Sequence, residues 1–442
     1  MIDRRTFTGL MASSVAFSSR AWAQRPDTAL STTMYFASVG PVLTAYQIQR
    51  VPRPVWGPDS GPPETRPPGV QWMLLPGPQV TLPANVQYAW QHPSRRYFYV
   101  VSSNGQPGGG DAPKGDVHSL NAFTLDPKTG ALAAHGEARA LPSRPIHTSV
   151  DQKGEYVLTA YNEPSSVTVH RINADGTLGQ LVNQPTRLDT GIYAHQIRAV
   201  PSNQTVIVIA RGNNATPSKA EDPGSIHVFG FNNGILSPLQ VVRPGNGLGF
   251  GPRHLDFHPT KPWVYVSIER QNRIYLYDLQ PDGKLGTTPR FVKTSLLDSR
   301  NVRPSQGAGT IHVHPNGRFV YQTNRNAGVI DYRGQMVFGG GENNVAVWSI
   351  NQETGEPNFV EAVDGHGIQL RTFGVEPAGG ELLIAASIQP LPNRNGERIE
   401  TLSAGLSVYH INSSSGRLTF QRKYDVDTAR GTQFWSGMVT LT

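Results

Sequence analysis

Residues 251–285, "GPRHLDFHPTKPWVYVSIERQNRIYLYDLQPDGKL", decide how the rest of the chain is read. They hold three short runs with the alternation and the β-branched and aromatic content of strands: "RHLDF", "PWVYVSIE" and "RIYLYDL". A His-Pro turn separates the first two, and the third ends on "QPDGKL", whose glycine supplies the positive φ such a turn requires. Arg253 and His254 open the first strand, while Glu269 and Arg270 close the second. A hairpin sets those two ends side by side, so these charges either face solvent or share a site.

The same grammar recurs. The second strands are "RYFYVVSSN", "EYVLTAYN", "QTVIVIAR", "PWVYVSIE", "RFVYQTNR" and "ELLIAASI". The third strands are "VHSLNAFTL", "SSVTVHRI", "GSIHVFGF", "RIYLYDL", "NVAVWSI" and "GLSVYHI", most of them followed by a glycine turn. The repeats begin near residues 81, 138, 188, 245, 306 and 365, a period of about 50 that falls in the range of propeller blades. Two ends remain: 32–48 holds two strands and 420–441 one or two more. Joined, they make a seventh blade that closes the ring and removes its open edges. The expected fold is therefore all-β, a seven-bladed β-propeller of four-stranded antiparallel blades, with residues 24–442 as one domain. The proline-rich stretch 51–80 reads as a surface excursion. Long insertions at 104–116, 212–224 and 390–405 occupy one blade position and should gather on one rim, where loops shape binding mouths.

Composition agrees. Of 442 residues, 46 are Gly and 36 Pro, and only 16% are charged, which favours turns and short strands over long helices. The net charge is +7 with no Lys/Arg cluster, so nucleic acid is not an expected partner. The absence of cysteine excludes disulfides, thiol nucleophiles and Cys-ligated zinc. No HExxH, EF-hand loop or GxSxG elbow is present, so no metal or other cofactor is expected and the chemistry falls to Arg, His and Glu. Residues 1–23 carry Arg4-Arg5, a weakly apolar stretch and a small-x-small site at Ala21-Trp22-Ala23. This pattern fits a twin-arginine signal, too short and too polar for a membrane span. It implies the twin-arginine export machinery as a partner and the periplasm as destination.

In a propeller blade the first strand lines the axis, and the second returns beside it. The turn residues Gln152, Pro201, Pro259, Pro315 and Pro377 give each repeat a ruler. Six positions earlier stand Ile146, His195, Arg253, Gly309 and Arg371; five earlier stand His147, Gln196, His254, Thr310 and Thr372. Ten positions later stand Asn162, Arg211, Glu269, Arg325 and Ser387. The hairpin brings the "six before" and "ten after" sets together at one mouth of the axial channel. The expected site is a ring of cations around one carboxylate and one or two histidines. His312, also on a first strand, is a further channel candidate. His92, His258 and His314 precede the turns as punctuation, and His170, His227 and His410 lie on third strands; all six read as structural.

These residues resemble the seven-bladed propeller lactonase family, which includes propeller-type 6-phosphogluconolactonases and the fungal carboxymuconate-cyclising enzyme. The likeness spans about 32–440 and rests on "YAHQIRAVP", "GPRHLDFHP", "VYVSIE" and "RFVYQTNR". It implies His195, Arg253, Glu269 and Arg325 as catalytic residues. His147, Arg211, His254, His312, Asn324 and Arg371 would then contact the substrate. The sequence departs from the family where "ARGNNATPSKAEDPG" brings Arg211 and an insertion. With an export signal, an unphosphorylated lactone such as gluconolactone is the expected substrate, hydrolysed to the acid. Two rivals stay open: a lactonising or cycloisomerase activity on a muconate-type dicarboxylate, and a non-catalytic binding propeller. In the hydrolytic reading Glu269 or His195 serves as base, and Arg253 and Arg325 stabilise the oxyanion.

Overall fold

The computed structural model describes residues 30–52, 70–107 and 112–442. The export signal expected at 1–23 lies outside them. Seven antiparallel units make up the fold, six of four strands and one whose outer strand is split into Leu132–Ala134 and Arg139–Ala140. Their inner strands, in chain order, are Asn85–Gln91, Pro145–Val150, Ala194–Ala199, Pro252–Phe257, Gly307–Val313, Leu370–Val375 and Ser436–Thr440. Each packs against the next, and the last returns to the first, so the seven line a closed ring around an axis.

The second strands are apolar on both faces because each blade is covered by two neighbours. In the fourth blade, Val264, Val266 and Ile268 pack with Ile207 and Ile209 of the third. The alternate residues Trp263 and Tyr265 pack with Val320 and Trp348 of the fifth. Period-two alternation thus feeds both inter-blade cores. Burying each such side chain contributes roughly 1.5–3 kcal/mol.

The punctuating histidines tie blade to blade. His92, His258 and His314 place Nε2 against the carbonyls of Gly154, Gly317 and Gly380 in the following blades, at 2.9, 2.8 and 2.8 Å. Gly317 is held at φ +69°, and a Cβ there would stand 2.6 Å from the His258 ring. Only glycine satisfies both conditions.

The closing blade differs from the expected one. Its strand order is Val70–Thr81, Val42–Pro52, Leu30–Val39 and Ser436–Thr440. The C-terminus therefore supplies one strand, because Leu418–Asp425 is already the outer strand of the sixth blade. Residues 70–80, expected in a surface excursion, instead begin the outermost strand; of the rest of that stretch, 53–69 lie outside the described residues. A further insertion, the hairpin Val329–Tyr332 and Gln335–Phe338, leaves the fifth blade at the position of the other long loops. It lies against the hairpin Leu391–Asn395 and Arg398–Leu402 of the sixth.

Candidate active site

A repeated irregularity of the inner strands builds the site. In the third blade Ala194 pairs with Ala210 and Gln196 with Ile209, which leaves His195 out of register. In the fourth, Pro252 pairs with Ile268 and His254 with Ser267, which leaves out Arg253. Arg371 is skipped in the same way in the sixth. Each is an extra residue in one strand of the pair, and such a bulge re-aims its side chain. The bulge residues are the "six before" positions, so sequence spacing located them without showing the device.

Glu269 enters from the second strand of the fourth blade, where its N–H donates to the Gly251 carbonyl at 2.8 Å. It begins a short 3-10 turn, Glu269–Gln271. Gly307 of the fifth blade leaves room for it, since a Cβ there would approach Glu269 Cγ to 3.0 Å. Three guanidiniums converge on its carboxylate. Arg325 Nη2 reaches Oε1 at 2.7 Å, Arg253 Nη1 reaches Oε2 at 3.2 Å, and Arg211 Nη1 stands 3.7 Å from Oε2. Arg253 Nη1 also donates to His195 Nε2 at 2.9 Å. A guanidinium only donates, so His195 Nε2 is the acceptor and the ring proton sits on Nδ1.

Burial acts to raise the Glu269 pKa, but Arg325, Arg253 and Arg211 outweigh it and hold the carboxyl far below its usual range. Burial, reinforced by Arg253, lowers the His195 pKa well below its ordinary value, so the ring is neutral. Arg253 is fully enclosed, and burial pulls its own pKa down to about 10. Among the described residues its Nε and Nη2 have no hydrogen-bond partner, nor has Arg325 Nε.

Two further arginines stand on an aromatic wall. Arg371 lies 3.6 Å above the Phe434 ring and donates from Nε to the Phe434 carbonyl at 3.0 Å. Arg144 stacks 5.4 Å from the same ring, and among the described residues its Nε and Nη2 have no partner. Arg211 lies 4.1 Å over Tyr193. A cavity of about 410 Å³ is lined by Tyr193, His195, Arg211, Arg253, Arg371, Phe434 and Arg144, with Pro107 from the first long loop at its edge. A second space of about 290 Å³ adjoins it through Arg325 and Gln369 and is lined by Glu269 and Gly307. Arg144, Tyr193 and Phe434 went unrecognised in the sequence. Arg144 precedes its first strand, and Phe434 lies just before the closing strand, outside the repeat grammar.

Not every expected site residue joins this cluster. The Asn324 amide donates to Ser295 O at 2.6 Å and Asn344 Oδ1 at 2.7 Å, which fixes it between the segment after the fourth blade's outer strand and the third strand of its own blade. It points away from Arg325 because adjacent strand residues face opposite sides. His312 lines a different cavity at the other end of the axis. His254 and His147 are enclosed beneath the site, with the His254 ring 5.1 Å from that of His195 and 6.2 Å from that of His147. They support its floor rather than line the cavity. Among the described residues no group of three or more His, Cys, Asp or Glu is gathered to hold a metal. Glu269, the one carboxylate here, already faces three guanidiniums. No helix among these residues is long and apolar enough to cross a membrane.

The sequence matches the family described as Lactonase, 7-bladed beta-propeller, over residues 74–432. The chain belongs to that family. This lactonase is 27% identical over 365 residues to a 6-phosphogluconolactonase of Cronobacter sakazakii, covering 80% of this chain and 91% of the relative. It is also 27% identical over 271 residues to the Bacillus subtilis 6-phosphogluconolactonase, covering 59% and 68% of the two chains. Its fold is shared by the solved structure of the Pseudomonas aeruginosa periplasmic gluconolactonase PpgL, with a TM-score of 0.63 and 19% identity over 94% of this chain and 100% of that one. Family membership makes the protein a lactone-hydrolysing enzyme, a carboxylic-ester hydrolase, and removes the non-catalytic reading. The cavity gathers fixed guanidinium donors around one ionised carboxylate.

Proposed function

We propose that this lactonase opens a sugar lactone of the gluconolactone kind in the periplasm, which it reaches through a twin-arginine signal at 1–23. One observation carries the mechanism: Arg253 bridges His195 and Glu269 while Arg325 grips the other oxygen of the same carboxylate. The lactone carbonyl oxygen points at Arg253 and Arg325, whose donors stabilise the tetrahedral oxyanion; one such donor contributes roughly 3–4 kcal/mol. Glu269 orients the attacking water. As the oxyanion forms beside the guanidiniums it offsets their field, so Glu269 gains basicity at the moment it takes the proton. His195 holds Arg253 in place and, with its lone pair engaged, leaves the base role to Glu269. The proton then passes to the departing ring alkoxide.

A second reading has its own support. Five guanidiniums face one carboxylate across the two joined spaces. That excess favours a lactone carrying a carboxylate, or the muconate-type dicarboxylate of the lactonising reaction. Acid release from glucono-1,5-lactone by the mature chain, corrected for spontaneous hydrolysis and run with a chelator, separates the two. Turnover lost in Glu269→Gln supports the first reading. No turnover of this lactone, with turnover of a carboxylate-bearing one, replaces it by the second.

A further inference from the structure

We propose that the opposite mouth of the axial channel is a second ligand site, and that it takes an uncharged hydroxylated ring, such as a pyranose sugar. A cavity of about 520 Å³ opens there, within the ~300–1,000 Å³ span of small-molecule sites. It lies at the far ends of the inner strands, beside the turn residues Pro315 and Pro377. Its innermost lining residues, Thr372 and Trp435, are chain neighbours of Arg371 and Phe434 in the active-site cavity, so a single layer of side chains separates the two. Between the two, the rings of Tyr88, His147 and His254 stand 4.1–6.4 Å apart and fill the axis. A ligand in this cavity therefore does not reach Glu269.

The walls are aromatic: Trp90, Phe373 and Trp435 line it. One edge is polar: Arg198 and His312 line it, with the Asp256 carboxylate behind them. That carboxylate accepts the Val313 N–H at 3.0 Å, faces Arg198 Nη1 at 3.5 Å and faces His312 Nδ1 at 3.5 Å. Arg198 is itself held 4.6 Å over the Trp90 ring, and His312 stands edge-on to Phe373 at 4.8 Å. With Nδ1 turned to Asp256, Nε2 is the His312 nitrogen left for a ligand.

This edge selects by charge and polarity. Arg95 and Arg198 in its lining are matched by Asp151 there and by Asp256 just behind, unlike the guanidinium excess of the active site, so neither an anion nor a cation is favoured. A wholly apolar ligand would strip water from Arg198 and His312 without replacing its hydrogen bonds. A hydroxylated ring meets both demands, with its apolar face on Trp90 or Phe373 and its hydroxyls toward Arg198 and His312.

Titration calorimetry with D-glucose tests this, using the wild type, His312→Ala, Trp90→Ala and Arg325→Ala. The expected result is millimolar binding that weakens at least ~10-fold in His312→Ala and in Trp90→Ala and persists in Arg325→Ala. Because His312 is partly exposed, its variant tests the site without emptying a core. Loss of binding in Arg325→Ala alone would place the sugar in the active site and overturn the proposal. So would no binding at roughly 100 mM. Tighter binding of gluconate than of glucose, sensitive to His312→Ala, would overturn the uncharged assignment.

Discussion

Arg253 donates from Nη1 to Nε2 of His195 across 2.9 Å, and that bond occupies the only lone pair the neutral imidazole could use as a base. The same nitrogen faces Glu269 at 3.2 Å. Arg253→Ala therefore frees His195, removes an oxyanion donor and leaves Glu269 to Arg325 and Arg211. Steady-state kinetics should show kcat/KM lower by ~10²–10³, with circular dichroism confirming the fold. Arg253→Lys should recover little, since an ammonium lacks the planar fork that meets both partners. A loss below tenfold for Arg253→Ala would contradict this role.

Activity should depend on pH through Glu269 and not through an imidazole. Its three arginines hold the carboxyl below its usual range despite burial, so it stays ionised far into acid. The acid limb of kcat/KM should therefore fall below the ordinary glutamate value of about 4.3. The profile between about pH 5 and 8 should be flat once spontaneous hydrolysis is subtracted. A limb between about 6 and 7 would instead assign the proton to a histidine.

The repeat grammar made the blades and the His195, Arg253, Glu269 and Arg325 positions legible, because period-two strands and glycine turns are local signals. The skipped pairings at His195 and Arg253 were not legible, since a bulge is defined by the partner strand. His312 was misplaced because one inner strand serves both mouths of the channel, and distance from the turn decides which. Asn324 was misplaced by strand alternation. Val70–Thr81 was hidden by Pro76 and Pro78, which a central strand would not accept but an outermost strand, unpaired on one side, does. Arg144 and Phe434 meet from parts of the chain far apart in sequence and share no repeat position.

Glu269 should also matter to stability. Because its folded pKa is depressed, its contribution is present above the unfolded value and is lost as pH falls through the folded one. Glu269→Gln removes that contribution at every pH and leaves three guanidiniums facing one another. Breaking a buried ion pair on one side costs about 3–5 kcal/mol, so chemical denaturation at pH 7 should show a loss of that order. Sulfate should restore the variant more than it stabilises the wild type, by seating an anion among Arg211, Arg253 and Arg325. Equal gains in both proteins would show that the arginines tolerate one another without the carboxylate.

The three enclosed histidines also weaken the fold in acid, but in a higher pH range. Burial, reinforced by neighbouring arginines, lowers the pKa of His147, His195 and His254 far below the ordinary value. The unfolded chain therefore takes up protons at these positions below about pH 6.5 while the folded chain does not. Stability is unaffected above that pH and falls as the solution becomes more acidic. The slope approaches about 1.4 kcal/mol per pH unit for each histidine once it is fully protonated in the unfolded state. Urea denaturation from pH 7.5 down to 5 should show this loss, steepening below 6.5, in a range where Glu269 stays ionised and contributes no slope. His254→Gln, which packs a neutral side chain in the same place, should lower the slope by its own share, up to about 1.4 kcal/mol per pH unit. Its absolute stability at pH 7.5 reports packing alone, so the slope separates titration from fit. An unchanged slope in that variant would mean that other groups govern the acid sensitivity of the propeller.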